Sequence, residues 1–221
     1  MIWQVLVIAL LSYLIGSINP AIILSNILKK EDIRTQGSGN AGTTNTLRTL
    51  GKWPAVAVLL VDILKAVIAI SLARWIGTLG NYTTEEFMKL HDYALLAAGI
   101  GVVLGHNFPI YYGFKGGKGV ATSLGILLIM EWKIGIICLV FALAIILASR
   151  MVSLGSITAA ILYPVLVLLM PGTAFNDRKL YLLFAIFLTA LLIIRHKANI
   201  KRLLEGTENK LWKTKSEKSL K

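Results

Sequence analysis

Five consecutive residues, Lys115-Gly116-Gly117-Lys118-Gly119, hold the densest reactive chemistry in a chain that is otherwise strongly apolar. Glycine lets backbone N–H groups approach an anion closely and lysine supplies charge, so the run has the makings of a phosphate cradle. The apolar, helix-permissive GVATSLGILLIM that follows would aim a helix N-terminus at the same anion. A Walker A loop is excluded. That motif reads G-x-x-x-x-G-K-[ST], and here Tyr112 stands where its first glycine would be and Gly119 where its hydroxyl would be. The competing reading of the composition alone is a glycine-rich turn whose lysines stop membrane insertion.

A second polar stretch runs from Arg34 to Arg48, RTQGSGNAGTTNTLR. Its Gly37–Gly42 portion matches G-x-G-x-x-G in letters only, because a dinucleotide fingerprint follows a strand inside a βαβ unit. Here an apolar segment and a charged linker precede it. Ser38, Asn40, Thr43, Thr44 and Asn45 put neutral hydrogen-bonding groups around flexible backbone, and Arg34 and Arg48 flank them. Arginine can grip a phosphate bidentately where lysine acts as a point charge. A turn that caps the next helix accounts for the same residues; the two readings are compatible.

The third stretch is Arg195-His196-Lys197-Ala198-Asn199-Ile200-Lys201-Arg202. On one continuous helix, His196 and Asn199 would share a face. A basic anchor on anionic lipid explains the lysines and arginines, but it does not require His196 and Asn199, which suit the orientation of a hydroxyl. Three further polar sets lie among apolar residues. Asp62 and Lys65 fall on one helical face and read equally well as a structural ion pair or a substrate contact. His106-Asn107-Phe108-Pro109 marks a helix end, with His106 a cap or interface residue. Ser153, Ser156 and Thr158 would bond between helices or line the same pocket.

These groups must be positioned by membrane helices. Of 221 residues 56% are hydrophobic and mean hydropathy is +0.73, which overrides a soluble reading. Seven apolar segments can be drawn: Ile2–Leu28, Trp53–Gly77, Tyr93–Gly105, Val120–Met130, Ile134–Ala148, Leu154–Met170 and Leu180–Ile194. The third and fourth are short, which suggests a re-entrant polar site between them, and five spans are the alternative count. The N-terminal segment lacks the basic flank of a cleavable signal and reads as a retained span. The formal charge of +12 is not the mark of a nucleic-acid binder, because its basic residues cluster in short loops and the C-terminal tail. An N-terminus outside and a C-terminus in the cytoplasm put all three polar stretches on the cytoplasmic side. The lone Cys138 offers no disulfide, and no metal-ligand cluster is present. The expectation is an all-α polytopic protein of seven transmembrane helices, some short. It forms one domain over residues 1–210, followed by a basic tail at 211–221.

Taken together, GSGNAGTTN, GHNFPIYYGFKGGKGVAT and RHKANIKRLLEGTE resemble the bacterial membrane-integral glycerol-3-phosphate acyltransferases that use acyl phosphate. Thr43 departs from the small alanine common there. The resemblance implies acylation of the 1-hydroxyl of sn-glycerol 3-phosphate with release of phosphate, in a bacterial plasma membrane and without a cofactor. It assigns catalysis to His196, Lys118, Arg48 and Asn199. It assigns substrate binding to Ser38, Gly39, Asn40, Thr44, Lys115, Gly116, Gly117, Gly119 and Ser156. The proton acceptor is either His196 or the donor's own phosphate. Acyl-CoA and acyl carrier protein are not expected donors, since Leu96, Tyr111 and Lys201 stand where a His-x4-Asp motif would need aspartate after His91, His106 and His196. No G-x-S-x-G elbow is present. A transporter of organic phosphates is the alternative class, but it wants an inverted repeat and polar groups facing both sides. A lipid-binding scaffold would leave the neutral hydroxyls and amides unexplained.

Overall fold

The computed structural model describes residues 1–170 and 175–212. Among these residues the regular structure is entirely helical. Helix α1 (Ile2–Ser17) stops at Ile18, and Asn19 begins α2 (Pro20–Lys29) by accepting from the amides of Ala21 at 3.1 Å and Ile22 at 3.2 Å. Proline in the first turn removes a donor that would have no partner there. A short α3 (Thr43–Thr49) precedes α4 (Lys52–Gly77) and α5 (Thr84–Asn107). Then come α6 (Val120–Met130), α7 (Trp132–Ser149), α8 (Val152–Leu169), α9 (Arg178–Arg195) and α10 (Lys197–Leu204).

By length and apolarity five of these segments can cross a membrane, or six if the bent pair α9–α10 counts as one. The third span is not short. Helix α5 has 24 residues because Thr83 and Glu86 form a capping box well before the apolar run begins. Its buried Asp92 accepts from the amides of Asn176 at 2.9 Å and Asp177 at 2.8 Å, which accounts for a charge inside the helix. Helix α6 keeps its expected 11 residues. The proposed tail at 211–221 falls outside the described residues beyond position 212.

Because lipid is as apolar as a side chain, close approach rather than hydrophobicity sets which helix faces meet. Helix α1 buries Gln4, Ile8, Ser12 and Gly16, one residue per turn, while Trp3, Leu6 and Leu10 stay exposed. It meets α5 backbone to backbone: a Cβ at Gly16 would fall 2.2 Å from Val102 O, and one at Gly105 would fall 2.2 Å from Tyr13 O. Helix α4 bridges α5 and α6, and α6, α7, α8 and α9 follow one another as neighbours before α9 returns to α5.

Under the polar end, Lys65 Nζ ion-pairs with Asp62 at 2.8 Å. It also donates to Gly16 O and Ile18 O, both at 3.0 Å, and lies 2.8 Å from His106 Nδ1. The two carbonyls are those that the end of α1 leaves without helical partners. Asp62, Lys65 and His106 are all buried. Of the two readings open for Asp62 and Lys65, the structural pair is the one observed.

Candidate active site

Pro109 ends α5, and a tight turn at Ile110–Tyr112 reverses the chain through Gly113 and Phe114, at φ 65° and 59°. The returning segment binds the end of α5: Gly116 N donates to Asn107 O and Gly117 N to His106 O, each at 3.1 Å. This corrects the cradle expectation. Those two amides are engaged by the protein and do not point at an anion. The glycines are there because a Cβ on Gly117 would fall 2.1 Å from His106 Nε2 and 2.8 Å from Ala41 O. On Gly116 it would fall 2.1 Å from His106 O.

From the other side, Arg195 Nη2 donates to Gly117 O at 2.8 Å, and its guanidinium lies 5.0 Å from the Phe108 ring centre. The Arg34 guanidinium is likewise engaged by protein groups. It pairs with Asp32 at 2.6 Å and donates to the carbonyls of Tyr112 at 2.6 Å and Lys115 at 2.9 Å, tying the first loop to the second. Lys115 itself is exposed.

The first loop is organised by Asn45, fully buried on α3. Its Nδ2 donates to Ile33 O and Gln36 O, and its Oδ1 accepts from Ser38 N at 2.8 Å. Gly39 N donates to Gln36 O at 2.9 Å. Ser38 and Gly39 are thus exposed on a preformed turn, Asn40 and Thr44 are half-buried beside it, and Ala41 O abuts Gly117. Asn45 is a scaffold residue, while the Ser38 hydroxyl makes no protein hydrogen bond among the described residues. Thr43, Asn107 and Thr122 border the loops with buried polar atoms that lack protein partners.

These loops leave Lys118 pointing at the third stretch. Its Nζ donates to Asn199 Oδ1 at 2.5 Å. The chain does not continue there as one helix: α9 and α10 meet at His196 with a 64° bend. The bend is pinned by a residue to which the sequence pattern assigned no role. Glu208 has a side chain only 4% exposed, and its carboxylate accepts from Asn199 Nδ2 (2.8 Å), Arg202 Nε (2.9 Å) and Ser153 Oγ (3.0 Å). Its sequence context marks it only weakly, since Glu208, like Glu205, is a carboxylate among the basic residues that follow Arg195.

Lys118 interacts electrostatically with Glu208, Arg202, Arg195 and Arg48, so one carboxylate faces four cations. Burial pushes the Lys118 ammonium down to about 8; Glu208 opposes the shift and the three arginines reinforce it. An excess of positive charge in a partly desolvated site favours a multiply charged anion. Beside it, His196 is 3% exposed and its Nδ1 donates to Leu192 O at 2.8 Å. In the neutral ring that leaves Nε2 as the acceptor.

From this polar rim an apolar cavity of about 110 Å³ descends between α6, α7, α8 and α9. Val120, Ser156 and Leu192 stand at its rim; Leu127, Cys138, Tyr163 and Leu188 form its far end. Ser156 lines the cavity while its hydroxyl bonds Val152 O within its own helix at 2.9 Å.

A cationic rim over an apolar hollow suits an anionic headgroup joined to a hydrocarbon chain. Residues 6–206 match the family model described as glycerol-3-phosphate acyltransferase. The chain belongs to that family. It is 44% identical over 204 residues to the glycerol-3-phosphate acyltransferase of Halalkalibacterium halodurans, covering 92% of this chain and 94% of that one. The corresponding protein of Thermoanaerobacter pseudethanolicus is 41% identical over 203 residues, with 92% and 93% covered. The fold matches the crystal structure of PlsY, an integral membrane glycerol 3-phosphate acyltransferase, in its glycerol 3-phosphate form. The TM-score is 0.80 and identity 35%, over 93% of this chain and 94% of that one. The lysophosphatidic acid form of PlsY matches with a TM-score of 0.79 and 33% identity, over 98% and 99%. This chain is therefore an integral membrane acyltransferase of the same family.

Proposed function

We propose that this enzyme transfers an acyl group from acyl phosphate to the 1-hydroxyl of sn-glycerol 3-phosphate, giving 1-acylglycerol 3-phosphate and inorganic phosphate. The observation that carries the reading is the Lys118–Asn199 contact amid Arg48, Arg195 and Arg202, directly above an apolar cavity. Both substrates are phosphate esters or anhydrides, so two anionic groups need neutralising and one chain needs an apolar channel. The glycerol oxygen forms a bond to the acyl carbon, the carbon–oxygen bond to phosphate breaks, and the hydroxyl proton leaves. Phosphate is a competent leaving group, so the protein contributes mainly position and charge.

In this scheme Arg48 and Lys118 hold phosphate. Asn199 is fixed by Glu208 with its oxygen toward Lys118, and it sets the direction in which the ammonium points. The hydroxyl proton passes to His196 Nε2 or to the departing phosphate; burial and then the Lys118 charge push His196 down to about 4, which weakens it as a base. Ser38, Asn40 and Thr44 contact the polar head groups from the first loop. Lys115, Gly116, Gly117 and Gly119 act by placing Lys118 rather than by touching ligand, and Ser156 sits where the acyl chain enters.

We further place the N-terminus outside and the site in the cytoplasm, with seven crossings. Parity supports this count. Lys118 and Asn199 share one site, so an even number of crossings separates them, and α7, α8 and α9 alone would make three. Counting the 11-residue α6 restores the parity. At its far end Arg74 of α4 donates to Ile129 O at 3.2 Å, and the exposed Trp132 follows as an interfacial anchor.

The reading is tested with purified protein in lipid, labelled glycerol 3-phosphate, and acyl phosphate, acyl-CoA or acyl carrier protein as donor. Product is expected from acyl phosphate alone, and it should be lost with Lys118→Ala and Arg48→Ala. No product from any donor, with folded protein, would overturn the reading. Uptake of organic phosphate into sealed vesicles would then support a transporter.

A further inference from the structure

We propose that Tyr163 is the floor of the acyl site and sets the number of carbons that can lie straight below the reacting carbonyl. The inference rests on the acyl-transfer reading above, which puts the carbonyl at the rim beside Lys118 and His196. On α8 the cavity is lined from Ser156, one turn below the Ser153 that holds Glu208, through Ala160 to Tyr163. From Ser156 to Tyr163, and likewise from Val120 to Leu127 on α6, the helix rise is ~10 Å. An extended chain advances ~1.3 Å per carbon, given ~1.5 Å bonds at tetrahedral angles, so about eight carbons reach the floor.

The floor is hard to displace. Tyr163 is buried and meets Tyr181 edge-on at 6.2 Å, Tyr181 stacks on Phe175 at 5.0 Å, and Phe175 lies 5.8 Å from Phe184. Phe184 is in turn seated in the notch left by Gly99, where a Cβ would fall 2.4 Å from its ring. Interiors packed in this way resist local expansion. A longer chain must bend at the tyrosine, and that bend costs it binding.

The test is a donor series of octanoyl, dodecanoyl, palmitoyl and stearoyl phosphate, with kcat/KM read for each in lipid nanodiscs. Removing the ring in Tyr163→Ala is expected to raise the stearoyl-to-octanoyl ratio roughly tenfold, the scale on which an apolar pocket discriminates methylene groups. Tyr163→Phe keeps the ring and is expected to leave the ratio unchanged. Cys138→Phe adds bulk at the same depth and is expected to lower the ratio, so the proposal stays testable if Tyr163→Ala does not fold. A ratio that stays within twofold of wild type in Cys138→Phe, or in folded Tyr163→Ala, overturns the role of Tyr163. Absence of product from every acyl phosphate with the wild type overturns the donor reading instead.

Discussion

Replacing Gly117 with alanine adds one carbon at the most constrained point of the catalytic loop. The new Cβ would lie 2.1 Å from His106 Nε2 and 2.8 Å from both His106 Cε1 and Ala41 O. None of these can retreat easily. His106 is held 2.8 Å from Lys65 beneath it, and Ala41 O accepts from the fully buried Asn19 Nδ2 at 3.3 Å. The loop backbone itself must therefore move, straining the Gly117 N–H bond to His106 O and the Arg195 bonds to Gly117 O. Overpacking of this kind costs about 1–3 kcal/mol in stability. The larger consequence falls on the next residue, because a displacement of the order of 1 Å in a positioned group can cost about 100-fold in rate. Expected, then, is a modest loss of thermal stability with a fall of one to two orders of magnitude in kcat/KM for glycerol 3-phosphate. Gly77→Ala, where nothing lies within 4 Å of the added carbon, is the matched control and should be neutral. Gly117→Ala activity within about threefold of wild type would refute the claim that this glycine exists for close packing that places Lys118.

The pH profile should report Lys118. With its ammonium pushed down to about 8, the charge is complete below that pH and is lost as pH rises through it. So kcat/KM for glycerol 3-phosphate should fall above pH 8, and Lys118→Arg should carry residual activity past that fall, since arginine stays charged; identical profiles would exclude Lys118 as the group. Lys65→Met should destabilise by up to about 3–5 kcal/mol, because it leaves the buried Asp62 carboxylate facing only His106, whose Nδ1 lies 3.2 Å away. Adding Asp62→Asn should recover part of the loss, which thermal unfolding of single and double variants can check. Glu208→Gln should free the 196–208 segment. Hydrogen exchange should rise over α10 and KM should rise with it, whereas unchanged exchange would mean that Glu208 does not hold the bend.

The parts of this protein that could be read from the chain are those where membrane physics makes polarity conspicuous. A glycine–lysine run, a cluster of neutral hydroxyls and amides, and a histidine–asparagine pair stand out because the rest must satisfy lipid. Their shared side follows from loop charge, and the structure does bring Lys118, His196, Asn199 and Arg48 to one place. What could not be read depends on which groups are already engaged. Composition presents Gly116 and Gly117 as donors to an anion; only the fold reveals that His106 O and Asn107 O already take those amides. Arg34 and Asn45 look like ligand contacts by residue type, yet each holds a loop, Arg34 through carbonyls of the second loop and Asn45 through carbonyls of its own. Glu208 was hidden for the converse reason. In a basic tail one carboxylate looks like a solvated charge, and its reach to Ser153 crosses a separation of 55 residues. Helix α5 was underestimated because apolarity marks only its membrane part, while capping at Thr83 and burial of Asp92 extend it. Hydropathy therefore locates a site of this kind by contrast with lipid. Dividing its residues into those that grip the substrate and those that hold the gripping loop requires the partner of every polar group.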